Sequence, residues 1–277
     1  MNTTTLEVQI NHRVAIVWMT REVVRNAFDE TAIAELTATF RALGADADVR
    51  AIVLAGQGPA FCAGADLAWM RRMAGFDVEQ NRADALQLAV MLRTIHDCPK
   101  PVIARVHGDA YAGGVGLVAA CDIAVAAIGT TFCLSETRLG LIPATIGPYV
   151  VRAMGISAAR RYFLTAEKFD AGEAFRIGLV HELAPPDELD ARINALLGTL
   201  MLTSGHAVSE AKRLVRDVAA GPIDDTLMAD TAARIAAIRT SDDGREGVRA
   251  FLDKRKPRWV VEYEAMMAAQ EGDDEEM

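Results

Sequence analysis

Short apolar segments, separated by stretches with helical character, constrain the fold of this chain more than any other feature. Three of them read RAIVLAG at residues 50–56, PVIARVHG at residues 101–108 and DIAVA at residues 122–126. Residues 79–95 and a segment that begins near Gly113 lie between these strands and are predicted to be helical. A strand–helix–strand–helix–strand order is typical of a parallel sheet built from βαβ units.

The two ends of the chain differ in character. Residues 6–18 alternate apolar and polar side chains on either side of a short turn, which predicts a β-hairpin, and residues 30–43 have helical spacing. Amphipathic helices dominate from residue 157 onward, at 157–165, 171–177, 186–201, 206–219, 224–239 and 243–254. We therefore predict an α/β core at residues 1–195, a helical C-terminal region at residues 196–265 and a disordered acidic tail at residues 266–277.

The charge balance limits the classes of partner. With 29 Lys and Arg against 38 Asp and Glu, the formal net charge is −9, which excludes a whole-protein basic field for nucleic acid. The most apolar stretch, residues 111–128, is interrupted by Asp122 and three glycines, so we expect no membrane span. The first residues, MNTTTLEVQINHR, lack a basic start followed by an apolar block, and we therefore expect no signal peptide and a cytoplasmic protein.

The cysteines and histidines do not follow a metal-binding pattern. No pair of the four cysteines has CxxC spacing, and the five histidines form no cluster in the sequence. The cysteines are Cys62, Cys98, Cys121 and Cys133. We predict reduced, mostly buried thiols and no metal site.

Two glycine-containing turns follow predicted strands and open predicted helices. In FCAGADL, residues 61–67, Gly64 permits a tight turn, and the N–H of Ala65 at the following helix start has no intrahelical acceptor. In AGGVGL, residues 112–117, the N–H of Gly113 is a second such donor. Neither segment has the GxGxxG or Lys-Ser/Thr pattern of a nucleotide-binding loop. Each turn taken alone is also compatible with an ordinary strand-to-helix connection.

A single acid stands in the apolar segment CLSETRLGLIP, residues 133–143. Glu136 has Leu134, Leu139 and Leu141 as near neighbours, which should raise the pKa of its carboxyl group and suit it to proton transfer near neutral pH. An exposed loop acid or an ion pair with Arg138 is the alternative from the sequence alone. Two backbone N–H groups can hold a carbonyl oxygen whose negative charge grows during a reaction, and one carboxylate can move a proton at the adjacent carbon. Together they suit enolate chemistry on an activated acyl group.

Five segments in order resemble the enoyl-CoA hydratase/isomerase (crotonase) superfamily. They read FCAGADLAWM, GDAYAGGVGLVAACDIAVA, FCLSETRLGLIPATIGPYVVRAMG, ARRYFLTAEKFDAGEAFRIGLVHEL and EGVRAFLDKRKPRW, and the resemblance spans about residues 5–259. It implies a ClpP/crotonase-like spiral of ββα units with a helical C-terminal trimerisation part. It also implies an acyl-CoA substrate, a homotrimer or dimer of trimers, and no tightly bound cofactor, since coenzyme A enters as part of the substrate.

The resemblance also assigns roles to residues of this chain. Ala65 and Gly113 match the residues whose N–H groups hold the thioester oxygen, and Glu136 matches a catalytic glutamate. The remaining matches concern coenzyme A. These are Ala63, Asp66 and Leu67 along the adenine and pantetheine path, Phe251 and Lys254 enclosing the coenzyme across a subunit boundary, and Arg25 at a CoA phosphate.

The chain departs from typical enoyl-CoA hydratases at Gly116, where the family carries its first catalytic glutamate. Three functions therefore stay open: a hydratase in which Glu136 does both proton transfers, a Δ3,Δ2-enoyl-CoA isomerase, and a non-catalytic acyl-CoA-binding protein. We favour the hydratase, because several segments, ISAARRYFLTAE among them, resemble the bacterial methylglutaconyl-CoA hydratase branch.

Substrates of that branch carry a distal carboxylate, such as 3-methylglutaconyl-CoA. A glycine at position 116 would open space for that group and remove a repulsive charge, and an arginine would bind it. The candidates are Arg138, Arg71 and Arg72. The substrate pocket is then expected to be built from Trp69, Met70, Tyr111, Gly116 and Arg138, with Tyr111 orienting water.

Overall fold

The computed structural model describes residues 3–219 and 221–275. The chain divides into two compact units at residues 1–194 and 195–277. The strands are β1 Leu6–Asn11, β2 Val14–Met19, β3 Ala51–Gly56, β4 Ala60–Cys62, β5 Val102–Val106, β6 Asp109–Tyr111, β7 Ile123–Ala127, β8 Thr131–Cys133, β9 Lys168–Asp170 and β10 Glu182–Ala184. The helices are α1 Glu30–Ala45, α2 Leu67–Met73, α3 Val78–His96, α4 Gly113–Ala120, α5 Gly147–Thr165, α6 Ala171–Arg176, α7 Leu189–Met201, α8 Gly205–Val218, α9 Asp225–Thr240, α10 Asp242–Leu252 and α11 Arg258–Glu275.

The N-terminal unit repeats one strand–strand–helix module. In the three modules β3–β4, β5–β6 and β7–β8, the first strand joins a six-stranded sheet in the order β1-β2-β3-β5-β7-β10, and the second joins a four-stranded sheet in the order β4-β6-β8-β9. A helix or helix pair follows the second strand each time, as α2 and α3 follow β4 and α4 follows β6. This succession is the predicted spiral of ββα units, and it brings the ends of β4, β6 and β8 side by side.

The six-stranded sheet forms the centre of the core. Its inner strands pair in parallel, with Val53 opposite Ile103 and Ala104 opposite Ala124. Every residue of β3 is buried, which explains why its sequence is continuously apolar rather than alternating. The predicted hairpin at residues 6–18 is the antiparallel pair β1–β2 at one edge of this sheet.

Two element boundaries differ from the sequence-based prediction. Helix α5 begins at Gly147, whereas we predicted a helix only from residue 157. Gly155, with φ 76° and ψ 160°, is a non-helical kink within α5, and it interrupts the helical periodicity of the sequence. Helix α11 continues to Glu275, although we predicted disorder from residue 266. The segment AMMAAQ at 265–270 consists of good helix formers, and residues 276 and 277 lie outside the described residues.

The four cysteines are free thiols, three of them buried, as the sequence predicted. Within the described ranges, no group of three or more His, Cys, Asp or Glu side chains is arranged to hold a metal ion. None of the described helices combines the length and apolar character that a membrane crossing requires.

Candidate active site

A cavity of about 580 Å³ opens in the N-terminal unit where the second strands of the modules end. Its walls come from the turn after β4, from α2 and α3, from the start of α4 and from residues 135–146. Ala65, Gly113 and Glu136, which were predicted from three separate motifs, all line this one cavity. So do Ala63, Leu67, Trp69 and Met70.

The turn after β4 leaves the N–H of Ala65 without an acceptor among the residues that the structure describes. Phe28 pairs with this turn on both sides of Ala65: its N–H donates to the carbonyl of Gly64 at 2.8 Å, and its carbonyl accepts from the N–H of Asp66 at 2.9 Å. Gly64 has a φ of +91°, and a Cβ built on it would lie 2.9 Å from the carbonyl oxygen of Tyr111. Only glycine allows this close approach, and the same added Cβ would lie 3.5 Å from the nitrogen of Gly113.

The start of α4 supplies the second donor. Gly113 is the first residue of the helix, so its N–H has no intrahelical partner, and no acceptor for it occurs among the described residues. Ala112 before it has φ 46° and ψ −115°, a conformation that is strained for a residue with a Cβ. The ring of Phe28 lies directly over Gly113, where an added Cβ would come to 2.8 Å from Cε1. The backbone at Gly113 is therefore constrained by the conformation of Ala112 and by the ring of Phe28.

Glu136 opens a short 3-10 turn at Glu136–Leu139 immediately after β8. Its Oε2 atom is buried and has no hydrogen-bond partner among the described residues. Burial raises the pKa of this carboxyl group above its ordinary value, as its apolar neighbours predicted. A carboxylate with a raised pKa and a free oxygen, in one cavity with two unpaired N–H groups, can move a proton beside an oxygen that becomes negatively charged.

Comparison with known proteins decides the family. Residues 9–262 match the family model for enoyl-CoA hydratase/isomerase. The chain belongs to the enoyl-CoA hydratase/isomerase family. It is 42% identical to an enoyl-CoA hydratase from Shewanella pealeana, whose crystal structure superimposes with a TM-score of 0.90 over 92% of this chain and 96% of that one.

Two further relatives agree with this assignment. An enoyl-CoA hydratase from Mycobacterium smegmatis is 35% identical over 93% of this chain and 99% of its own, with a TM-score of 0.88. The crotonyl-CoA hydratase of Syntrophomonas wolfei is 30% identical over 90% of this chain and 95% of its own length. The protein is thus a hydratase-type enzyme of the crotonase superfamily.

Gly116 does not open the space that the sequence suggested. It is buried within α4 and is not among the residues that line the cavity. A Cβ added to it would overlap Cγ2 of Ile146 and lie 2.7 Å from its Cβ. Ile146 thus fills the place next to the position at which typical family members carry their first glutamate, so a substrate carboxylate would find no room there.

None of the arginines predicted to bind a substrate carboxylate lines the cavity. Arg138 and Arg71 are exposed and outside it, and Arg72 forms an ion pair with Glu30 at 2.7 Å. In the described part of the chain the lining contains no Lys, Arg or His at all. The predicted cationic partner is therefore missing from this cavity.

Two other predicted residues make contacts within the protein. Asp66 caps α2, accepting from the N–H groups of Ala68 and Trp69 at 2.7 and 3.1 Å, and forms an ion pair with Arg21. Tyr111 lies outside the cavity lining, and its hydroxyl donates to Asp109 at 3.2 Å. It is thus not placed to orient water.

The remaining coenzyme A candidates lie away from the lining. Arg25 is exposed in a left-handed conformation, with φ 54°, and its carbonyl accepts from the N–H of Ala63. Phe251 and Lys254 are exposed in the C-terminal unit. Their predicted contacts with coenzyme A stay predictions.

Phe28 and Asp84 are among the lining residues that were not predicted. Phe28 lies 36 positions before Gly64 of the first glycine turn, and Asp84 lies on the amphipathic helix α3, where an acid is normally a solvated residue. Asp84 accepts a hydrogen bond from the indole N–H of Trp69 at 3.1 Å, and Phe28 packs on Trp69 with 6.1 Å between ring centroids. No local pattern marks either of them, because their partners are distant in sequence.

Proposed function

We propose that this protein adds water across the 2,3-double bond of an enoyl-CoA thioester, with Glu136 as its single acid/base. The observation that carries the proposal is the convergence of three groups in one cavity: the N–H groups of Ala65 and Gly113, which have no acceptor among the described residues, and the half-buried carboxylate of Glu136. The mostly apolar lining suits an acyl chain, and a hydrogen bond is stronger in such surroundings than in water.

The reaction follows from these three groups. The N–H groups of Ala65 and Gly113 hold the thioester oxygen. The Glu136 carboxylate takes a proton from water as the water oxygen bonds to C3, and the double-bond electrons move to the thioester oxygen. Glu136, now protonated, returns the proton to C2 as the carbonyl re-forms. Atoms and charge balance with one carboxylate, because it is regenerated in the second step.

The acyl group is proposed to be uncharged. The sequence predicted a carboxylated substrate such as 3-methylglutaconyl-CoA, whose free carboxylate would join Glu136 and Asp84 in a cavity without a lining cation. Burying a third carboxylate there without a partner would cost free energy. We therefore expect crotonyl-CoA to be hydrated faster than 3-methylglutaconyl-CoA.

A Δ3,Δ2-enoyl-CoA isomerase is the second candidate. It is favoured by Ile146, whose side chain fills the space beside Gly116 and leaves no room for a second carboxylate at that position. One base that removes a proton from C2 and returns it to C4 needs no bound water. The same Glu136 would serve both reactions.

The test measures loss of enoyl-thioester absorbance, with the product identified by mass. Wild type is compared with Glu136→Gln and with Glu188→Gln, an exposed acid outside the cavity that serves as the matched control. We expect wild type and Glu188→Gln to hydrate crotonyl-CoA, and Glu136→Gln to bind it but lose turnover.

Near-wild-type hydration by Glu136→Gln would overturn the mechanism. No hydration of crotonyl-CoA or 3-methylglutaconyl-CoA, with conversion of a 3-enoyl-CoA to its 2-enoyl isomer, would identify the isomerase. Acyl-CoA binding without any conversion would identify a non-catalytic member of the family.

A further inference from the structure

Asp84 places a second carboxylate in the cavity that holds Glu136, although no motif assigns it a role. It projects from α3 and lines the cavity together with Ala85 and Leu88 of the same helix. Its Oδ1 atom accepts the indole N–H of Trp69 at 3.1 Å. For its Oδ2 atom, the described part of the chain offers no hydrogen-bond donor.

Asp84 forms no ion pair in the part of the chain that the structure describes. The positive charge of Arg72 acts on Asp84 from a distance. The Nη2 atom of Arg72, however, donates to both carboxylate oxygens of Glu30, each at 2.7 Å. Burial raises the pKa of Asp84, and the negative charge of Glu30 adds to the effect. Asp84 is thus a partly buried acid whose Oδ2 atom is available to a ligand that enters the cavity.

We propose that Asp84 determines acyl-group selectivity: its free oxygen accepts a hydrogen bond from a hydroxyl group on the acyl chain, and its charge excludes chains that end in a carboxylate. The inference rests on the proposed function in one respect, namely that the acyl chain occupies this cavity. A hydroxyl fits better than an ammonium group, because a neutral donor loses less hydration free energy on entering an apolar cavity.

The alternative role for Asp84 is purely structural. Its bond to Trp69 ties α3 to α2, and Trp69 packs on Phe28, whose ring lies over Gly113. Asp84→Asn separates the two roles, because an amide oxygen still accepts the indole N–H while the negative charge is lost. Glu79→Gln is the matched control, since Glu79 is an exposed acid on the same helix and lies outside the cavity.

Binding of saturated acyl-CoA ligands tests the proposal without any turnover. Isothermal titration calorimetry would compare matched alkanoyl-, ω-hydroxyalkanoyl- and ω-carboxyalkanoyl-CoA, each at four, six and eight carbons. For wild type and Glu79→Gln, we expect the hydroxylated ligand of one length to bind about tenfold or more tighter than its alkanoyl match. The carboxylated ligands should bind more weakly than their alkanoyl matches at every length.

In Asp84→Asn, we expect the preference for the hydroxyl to shrink and the carboxylated ligands to gain about tenfold relative to alkanoyl-CoA. Unchanged ratios in Asp84→Asn, or equal binding of alkanoyl and carboxylated ligands by wild type, would overturn the proposal. A uniform loss for all three ligand classes would assign Asp84 the structural role. Failure of the hydration assay alone would contradict the proposed reaction but not the binding selectivity.

Discussion

At the scale of single residues, burial of Glu136 sets the pH range in which hydration can proceed. The first step needs the ionised carboxylate, and its pKa is raised above the ordinary value of 4.5 because the group is buried. We expect kcat/KM for crotonyl-CoA to fall with decreasing pH through an acid limb whose midpoint lies above 4.5. A pH–rate profile with its midpoint at or below that value would contradict burial as the controlling factor.

The same raised pKa has a consequence for stability that does not depend on turnover. Between the ordinary and the raised pKa the folded state binds more protons than the unfolded state, so the free energy of unfolding falls as pH rises through this interval. Glu136→Gln lacks this titration. Urea unfolding should therefore show the variant more stable than wild type at neutral pH, with the difference vanishing below pH 4.5.

The sequence predicted those site residues whose role depends on local backbone. Ala65 and Gly113 follow glycine turns, and Glu136 stands alone in an apolar segment, so short-range patterns mark all three. Asp84 escaped prediction because its acid looks like part of a solvated helix face, and its partner Trp69 is 15 residues away. Arg138 was predicted for a pocket that it does not reach, since a side chain's direction on a 3-10 turn cannot be read from spacing.

At the scale of elements, the packing of α4 against the segment before α5 determines what position 116 can hold. A Cβ added at Gly116 would overlap Ile146, which is buried and stiff at χ1. We expect Gly116→Ala to lower the free energy of unfolding by about 1–3 kcal/mol through overpacking. Measured by urea unfolding, the Gly116→Ala/Ile146→Ala double variant should be destabilised by less than the sum of its two single variants.

The control for this coupling is Ile146→Val, which keeps both the Cβ and a γ-methyl group near Gly116. Ile146→Val should therefore not reduce the destabilisation caused by Gly116→Ala. Additive losses of stability in the Gly116→Ala/Ile146→Ala variant would contradict the contact between the two residues.

The contact between Gly116 and Ile146 also shows where prediction from sequence failed at the scale of elements. Strands β1, β2, β3, β5 and β7 and most helices followed from periodicity, whereas the short strands β4, β6, β8 and β9 did not. The neighbour of Gly116 was also missed, because it comes from a segment 30 residues later that only the fold brings there.

At the scale of the whole molecule, the C-terminal unit leaves apolar side chains uncovered. They lie on α8, α9, α10 and α11 and are Val215, Met228, Ile235, Val248, Phe251, Leu252 and Val261. We expect these side chains to take part in an interaction surface. It agrees with the homotrimer implied by the family resemblance, which stays a prediction.

Sedimentation equilibrium tests the assembly directly. We expect the full chain to have a mass of three times 29.8 kDa, or six times for a dimer of trimers. Phe251→Ser combined with Leu252→Ser should shift the mass toward the monomer, because these side chains are 82% and 71% exposed in the single chain and would lose their apolar burial in an interface. Arg245→Ala, an exposed polar position on the same helix α10, should leave the mass unchanged. A monomeric wild type would contradict the predicted trimer. If the double variant kept the mass of the wild-type oligomer, the subunit interface would lie on other helices.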